Sequence, residues 1–229
     1  MKTYKRISLK TKDFSRKTEA FCLIGGGWTS SELFDGINSI YSLSFVRKCL
    51  EGSMVIKEKK SSELIHVDLI AAQKFAYEPS GLMGDHFAIE TESEEYGASE
   101  FKMNHRNIKF RVAKITPTKI GQFVTIWKRI EGGPIQPFDM ADPFDLVVIS
   151  VRTPEHFGQF VFPKLVLYEK GIVSKDGKGG KRAIRVYPPW DRTDNKQANK
   201  TQKWQLPYFF EIPLNAQADV SRIQKLFLL

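Results

Sequence analysis

Cysteine is nearly missing: Cys22 and Cys49 are the two in 229 residues. They are enough for one bridge but not for a disulfide scaffold, and they fit a reduced, cytoplasmic protein better than a secreted one. Long apolar runs are missing too. Nothing approaches the roughly 18–20 residues that span a bilayer, so no membrane partner is expected. The start is basic, but its apolar patch Ala20–Ile24 is too short for a signal-peptide core. His66, His86, His105 and His156 are scattered without metal-ligand spacing, so a zinc site is excluded. No GxSxG occurs, and nothing marks either cysteine as a nucleophile. The stretch KDGKGGKR, 175–182, lacks the GxxxxGK[ST] spacing and lies between strands, which excludes a nucleotide P-loop.

Charge is what the chain has in excess. Its formal net charge is +9, and its pI is near 9.4. That favours an anionic partner without naming one. The distribution says more. Residues 66–100 carry one base against eight acids, net −7; residues 101–129 carry eight bases and no acid, net +8. Residues 164–203 carry eleven bases and four acids, net +7. The two basic blocks are expected to converge on one surface.

With 41% hydrophobic and 12% aromatic residues, the chain has enough apolar area for a core. Residues 1–62, broken by Gly25–Gly27, read as a basic, loosely organised extension. Residues 63–212 read as the organised domain, and 213–229 as a C-terminal helix. Within the domain, apolar spacing behind Ser62 predicts a helix through Tyr77. Val-, Ile- and Phe-rich segments at 108–117, 121–129, 145–152, 158–172 and 181–189 read as strands, with KDGKGG as a flexible hairpin tip. Asn195–Trp204 reads as a polar helix and Tyr208–Ile212 as a last strand. The fold class is α+β: a central mixed, mostly antiparallel sheet flanked by helices.

The tetrapeptide GQFV occurs twice, at 121–124 and 158–161. Both copies open apolar strands, so each glutamine must find hydrogen-bond partners or cost about 1–3 kcal/mol. The two strands can lie side by side and satisfy each other, or a glutamine can face a ligand.

In order along the chain, EYGASEF, FRVAKITPTKIGQFVTIWKR, DLVVISVR, GQFVFPK, GKGGKRAIRVYPPWD, KTQKWQ and YFFEI together resemble the MepB-like protein family. These are bacterial cytosolic proteins, some encoded beside a multidrug-efflux pump, without a settled biochemical role. The resemblance implies, more weakly, a core like that of PD-(D/E)xK restriction endonucleases. Such a core has a metal-binding Asp at a strand start, Glu-x-Lys on the next strand, and often a further glutamate. The positions nearest that pattern are Asp145, Gln159, Lys164 and Glu95. A neutral glutamine cannot replace a carboxylate's charge toward Mg²⁺, so the motif reads as degenerate and Mg²⁺ is expected only if a nuclease survives.

The expected function is nucleic-acid binding, non-catalytic or catalytically degenerate, with a regulatory role or a link to drug response. A Mg²⁺-dependent nuclease using Asp145 is one alternative; a protein- or small-ligand-binding module is another. Lys114, Lys119, Lys128, Arg129, Lys164, Lys181, Arg182, Arg185, Lys200 and Lys203 supply candidate phosphate contacts. Trp190 and Trp204 supply flat faces for unpaired bases, and Gln202 an amide able to read adenine edges. For the tryptophans, an ordinary core role is the competing reading.

Overall fold

Val, Ile and Phe crowd the segments 146–152 and 157–163, and in the computed structural model these two strands form the buried centre of a six-stranded sheet. The structure describes residues 5–8, 10–11, 19–22, 54–55, 65–130, 132–213 and 216–228. The chain divides into two units, Met1–Ala71 and Ala72–Leu229. In the first, the strands are β1 (Lys5–Ser8), β2 (Lys10–Thr11), β3 (Glu19–Cys22) and β4 (Met54–Val55). β1 pairs antiparallel with β3, and β2 with β4. The rest of the expected 1–62 extension lies outside the described residues. A helix, α1 (Val67–Ala72), continues as a π-turn through Tyr77 and a 3₁₀ turn through Ser80.

In the second unit the sheet is built from β5 (Gly84–Ile89), β6 (Ser99–Met103), β7 (Arg106–Val112), β12 (Leu146–Arg152), β13 (Phe157–Pro163) and β15 (Phe209–Glu211). Its order is β15-β13-β12-β7-β6-β5, and the one parallel pair in it is β12 with β7. This is the mixed, mostly antiparallel α+β arrangement expected. Parallel neighbours need a long connection, and residues 113–145 supply it. They carry β8 (Lys114–Thr116), β9 (Lys119–Thr125), β10 (Trp127–Arg129) and β11 (Ile135–Pro137). β8 and β9 join β14 (Ala183–Val186) in a separate three-stranded sheet, order β14-β9-β8.

The pleat divides the large sheet's side chains. Ile108, Phe110, Val148 and Val161 share one face with Gln159. There Tyr77 packs edge-on against Phe227 of α4 (Val220–Leu228), ring centroids 5.1 Å apart. The other face presents Val147, Ile149, Phe160 and Phe162, which form the main core with Val124, Ile126 and Val186 of the small sheet. α2 (Lys164–Glu169) and α3 (Lys196–Gln205) flank that core through Leu167 and Trp204.

Two sequence expectations are corrected here. Residues 164–169 are helix rather than more strand, because Pro163 has no N–H to continue the ladder. The GQFV segments do not pair: β9 and β13 belong to different sheets. Gln122 instead bridges the sheets, its Nε2 donating to the Arg152 carbonyl (3.1 Å) and its Oε1 accepting from the Arg152 N–H (3.3 Å). Gln159 accepts from the Tyr77 hydroxyl (2.5 Å) and donates to Ser150 Oγ (2.8 Å). Both amides are spent on structure.

Candidate nucleic-acid interface

The degenerate catalytic set does not assemble. Asp145 precedes β12, where its Oδ2 accepts from the Asn107 N–H at 2.8 Å and fastens the start of the parallel pair. Gln159 lies opposite Ser150, five residues further along β12. At roughly 3.3 Å per residue that places it about 17 Å from Asp145, too far to share one cation. Lys164 Nζ turns the other way, donating to the carbonyls of Met140 (3.2 Å) and Asp142 (2.7 Å) over the Phe144 ring. Glu95 is taken by Lys114, 2.9 Å away. Among the described residues, no group of three or more His, Cys, Asp or Glu is placed to hold a metal ion.

The first basic block is largely neutralised by the acidic run that precedes it. Lys109 pairs with Glu90 (3.1 Å) and Glu100; Lys114 pairs with Glu95; Arg129 pairs with Glu92 (2.8 Å). Lys128 pairs with Asp142. Arg111 is fully buried, bonded to Glu90 (2.5 Å) and the Phe110 carbonyl (2.8 Å), with its guanidinium over Phe138. Burial works against the charge on Glu90, but Arg111 and Lys109 outweigh it and hold the carboxyl below its usual range. Lys114, Lys128 and Arg129, expected as phosphate contacts, therefore each lie beside a carboxylate. Of the block's proposed contacts, Lys119 alone is exposed with no ion pair among the described residues.

The second block behaves differently. Lys170, Lys181, Arg182, Lys200 and Lys203 are exposed, and no carboxylate among the described residues pairs with them. Lys170, Lys181 and Lys200 converge with Arg185 on a cleft of about 430 Å³ between β14, α3 and the end of α2. Tyr187, Trp204, Ile172, Ile184, Gln197 and Thr201 complete most of its wall, and no acidic side chain lines it. α3 is started by Asn195, whose side chain accepts from the Ala198 N–H at 2.8 Å. The spacing of Gln197, Lys200, Thr201 and Trp204 puts them on one helical face, the one beside the cleft. Arg185 is anchored by Thr116 Oγ1 (2.8 Å) and the Gly121 carbonyl (2.9 Å), so it contributes charge from a fixed position.

The amide and the two tryptophans fare as structure. Gln202 Nε2 donates to the carbonyls of Pro188 (3.0 Å) and Asp191 (2.9 Å), and so cannot read a base edge. Gln205 likewise joins the Arg185 carbonyl to the Tyr187 N–H. Trp190 is stacked on His156, centroids 4.8 Å apart and planes 9° from parallel, and is edge-on to Phe209. Trp204 leans on Phe162 of the core, with Lys170 Nζ 5.7 Å above its ring, and reaches the cleft as well. Tyr187 stacks on no aromatic ring among the described residues. Its ring rests against Gly121, whose lack of a Cβ makes the approach possible, and it lines the cleft.

The hairpin tip is pinned. Lys175 and Lys178 exchange backbone hydrogen bonds, while Asp139 accepts from Ser174 Oγ (2.7 Å) and the Gly177 N–H (3.1 Å). Residue types singled out Lys181, Lys200 and Trp204; Lys170 carried no signal, because nothing local places the end of a short helix beside a distant strand.

The profile of the MepB-like family matches residues 90–211, which include the small sheet, every strand of the large one except β5, and the cleft's β14 and α3. A solved structure, the crystal structure of MepB, is 36% identical, with a TM-score of 0.57, covering 65% of this chain and 97% of that one. A bacterial homing endonuclease, I-Ssp6803I, is 18% identical over 61% of this chain and 88% of its own. Its TM-score of 0.28 carries no argument on fold or chemistry. No curated protein matches.

Proposed function

The chain belongs to the MepB-like family, and within that family we propose that it binds nucleic acid through the cleft between β14 and α3, without cutting it. One observation carries this reading: Lys170, Lys181, Lys200 and Arg185 meet on a recess that has aromatic walls and no carboxylate. Unpaired charge gathered at one recess without a carboxylate fits an anionic ligand. Arg182 and Lys203, exposed beside it, extend the cationic surface past a single phosphate. A lipophilic cationic drug would be repelled by the same walls, which disfavours the drug-binding alternative. The separation of Asp145 from Gln159 is the reason no Mg²⁺-dependent cleavage is proposed.

The test is fluorescence anisotropy with labelled oligonucleotides across a salt series. Log affinity is expected to fall linearly with log salt, by about 0.7–0.9 per phosphate neutralised. The pair Lys181→Ala/Arg182→Ala should weaken binding to all sequences alike and reduce that slope by about 1–2. The pair Lys114→Ala/Arg129→Ala, whose cations already have carboxylates, should leave it unchanged. A flat salt response, or no binding of any oligonucleotide at 50 mM salt, would refute the proposal.

A further inference from the structure

We propose that His156 is an acid-operated latch: its protonated ring grips Trp190 and so fastens the loop joining β14 to α3, and the grip slackens as pH rises. The latch belongs to the loop and does not depend on what the cleft binds. The turn between β12 and β13 presents the imidazole from a fixed position. Thr153 donates its N–H to the His156 carbonyl (2.8 Å), and its Oγ1 accepts from the His156 N–H (3.1 Å). The ring's Nδ1 lies 3.0 Å from Glu211 Oε1 on β15, and its face covers the Trp190 indole. His156 and Glu211 are 44% and 46% exposed, so the ring exchanges protons with solvent.

Trp190 has little else to hold it. Its Nε1–H is buried with no hydrogen-bond partner among the described residues. Ring contacts keep the indole in place, with His156 on its face and Phe209 edge-on at 5.5 Å. A neutral imidazole meets an ionised Glu211 only by carrying its single proton on Nδ1. A second proton, on Nε2, makes the ring a cation. It then pairs with the carboxylate as an ion and with the indole by cation–π attraction, for which tryptophan is the best partner. Both gains fall on one ring, and both go as imidazole gives up its charge between about pH 5 and 8.

The other charged groups on the elements packed around the ring are Arg152, Glu155, Asp191 and Arg192. The Arg152 guanidinium lies over Phe157 (5.1 Å), and Glu155 reaches the Thr153 hydroxyl (3.4 Å). Asp191 works in the same direction as His156: desolvation raises its carboxyl, so acid removes a charge from the same loop. The loop in turn carries α3. The Asp191 N–H closes a turn on the Pro188 carbonyl (3.0 Å), and the carbonyls of both residues hold Gln202 Nε2. A slack loop therefore loosens the helix as well.

Hydrogen exchange of the Asp191 amide tests this on the full chain, corrected for the intrinsic rate at each pH and taken relative to Val148 in the core of β12. Protection should fall about two- to fivefold from pH 5 to pH 8, the factor that a partly exposed cation–π contact supplies. His156→Gln keeps a donor for Glu211 and never becomes charged, so it should stay near the wild-type pH 8 value throughout. Asp191→Asn should keep most of the step, and Glu211→Gln should shrink it. Equal protection at the two pH values in the wild type, or a step undiminished in His156→Gln, overturns the latch. So does a step that Asp191→Asn abolishes, which would assign it to the buried carboxyl instead.

Discussion

Gly121 and Gly158 begin the two copies of GQFV, and different rings require glycine at each. A Cβ on Gly158 would lie 2.4 Å from the Phe209 ring and 2.7 Å from the Phe210 carbonyl oxygen. Backbone cannot swing aside as a flexible side chain can, so Gly158→Ala should cost about 2–3 kcal/mol. Gly133→Ala, whose Cβ has nothing nearer than 3.2 Å, should cost less. Urea denaturation of both decides it, and equal midpoints would contradict the packing argument. The glutamines that follow show where sequence reading stops. That a buried amide must be bonded was legible from Gln122 and Gln159; which partners it finds depends on the sheet its strand joins, and no local pattern states that. Asp191 supplies a second prediction. Its Oδ2 is buried with no hydrogen-bond partner among the described residues, and desolvation raises its pKa. A raised carboxyl loses stability when it is forced to ionise, so the penalty is felt at neutral pH and disappears in acid. Asp191→Asn should therefore raise the melting temperature at pH 7 and not at pH 4; no change at pH 7 would count against it.

At the scale of elements, β7, β9, β12, β13, β14 and β15 were legible because β-branched and aromatic residues crowd between turn residues. β5 was not: its six residues GDHFAI include a glycine and an aspartate, and they are mostly exposed or half-buried. Nor was α2, since apolar residues in KLVLYE satisfy either period over so short a run. The KDGKGG segment has strong turn signals and was read as a flexible tip, yet Asp139, some 35 residues earlier in the chain, fixes it. Hydrogen bonds from the Ser174 hydroxyl and the Ala141 and Gly177 N–H groups hold the Asp139 carboxyl at about 2, below its ordinary 3.8. A depressed carboxyl adds stability above its unfolded value, and that contribution is lost as pH falls through the folded one. The Gly177 amide resonance should therefore shift with a midpoint near 2, and the shift should vanish in Asp139→Ala. A midpoint at the ordinary carboxyl value would mean the hairpin is held by something else.

Across the whole molecule, the +8 of residues 101–129 and the −7 of residues 66–100 largely cancel, leaving the 164–203 block as the main source of unpaired positive charge. Composition exposed the blocks but not their pairing, because β5, β6 and β7 must first lie side by side for Glu90 to meet Lys109 and Arg111. Glu90→Gln strands a fully buried guanidinium and should destabilise the fold by about 3–5 kcal/mol. A chemical denaturation curve indistinguishable from wild type would show that the charge on Glu90 is dispensable.

The parallel contact between β7 and β12 has a kinetic implication. Thirty-three residues separate the two strands, so they cannot zip together from a turn as a hairpin does. The intervening length must be looped out before any reward from that contact arrives, which slows the search. Gly121, which backs the Tyr187 ring, lies within that excursion, so the loop being closed carries part of the small sheet with it.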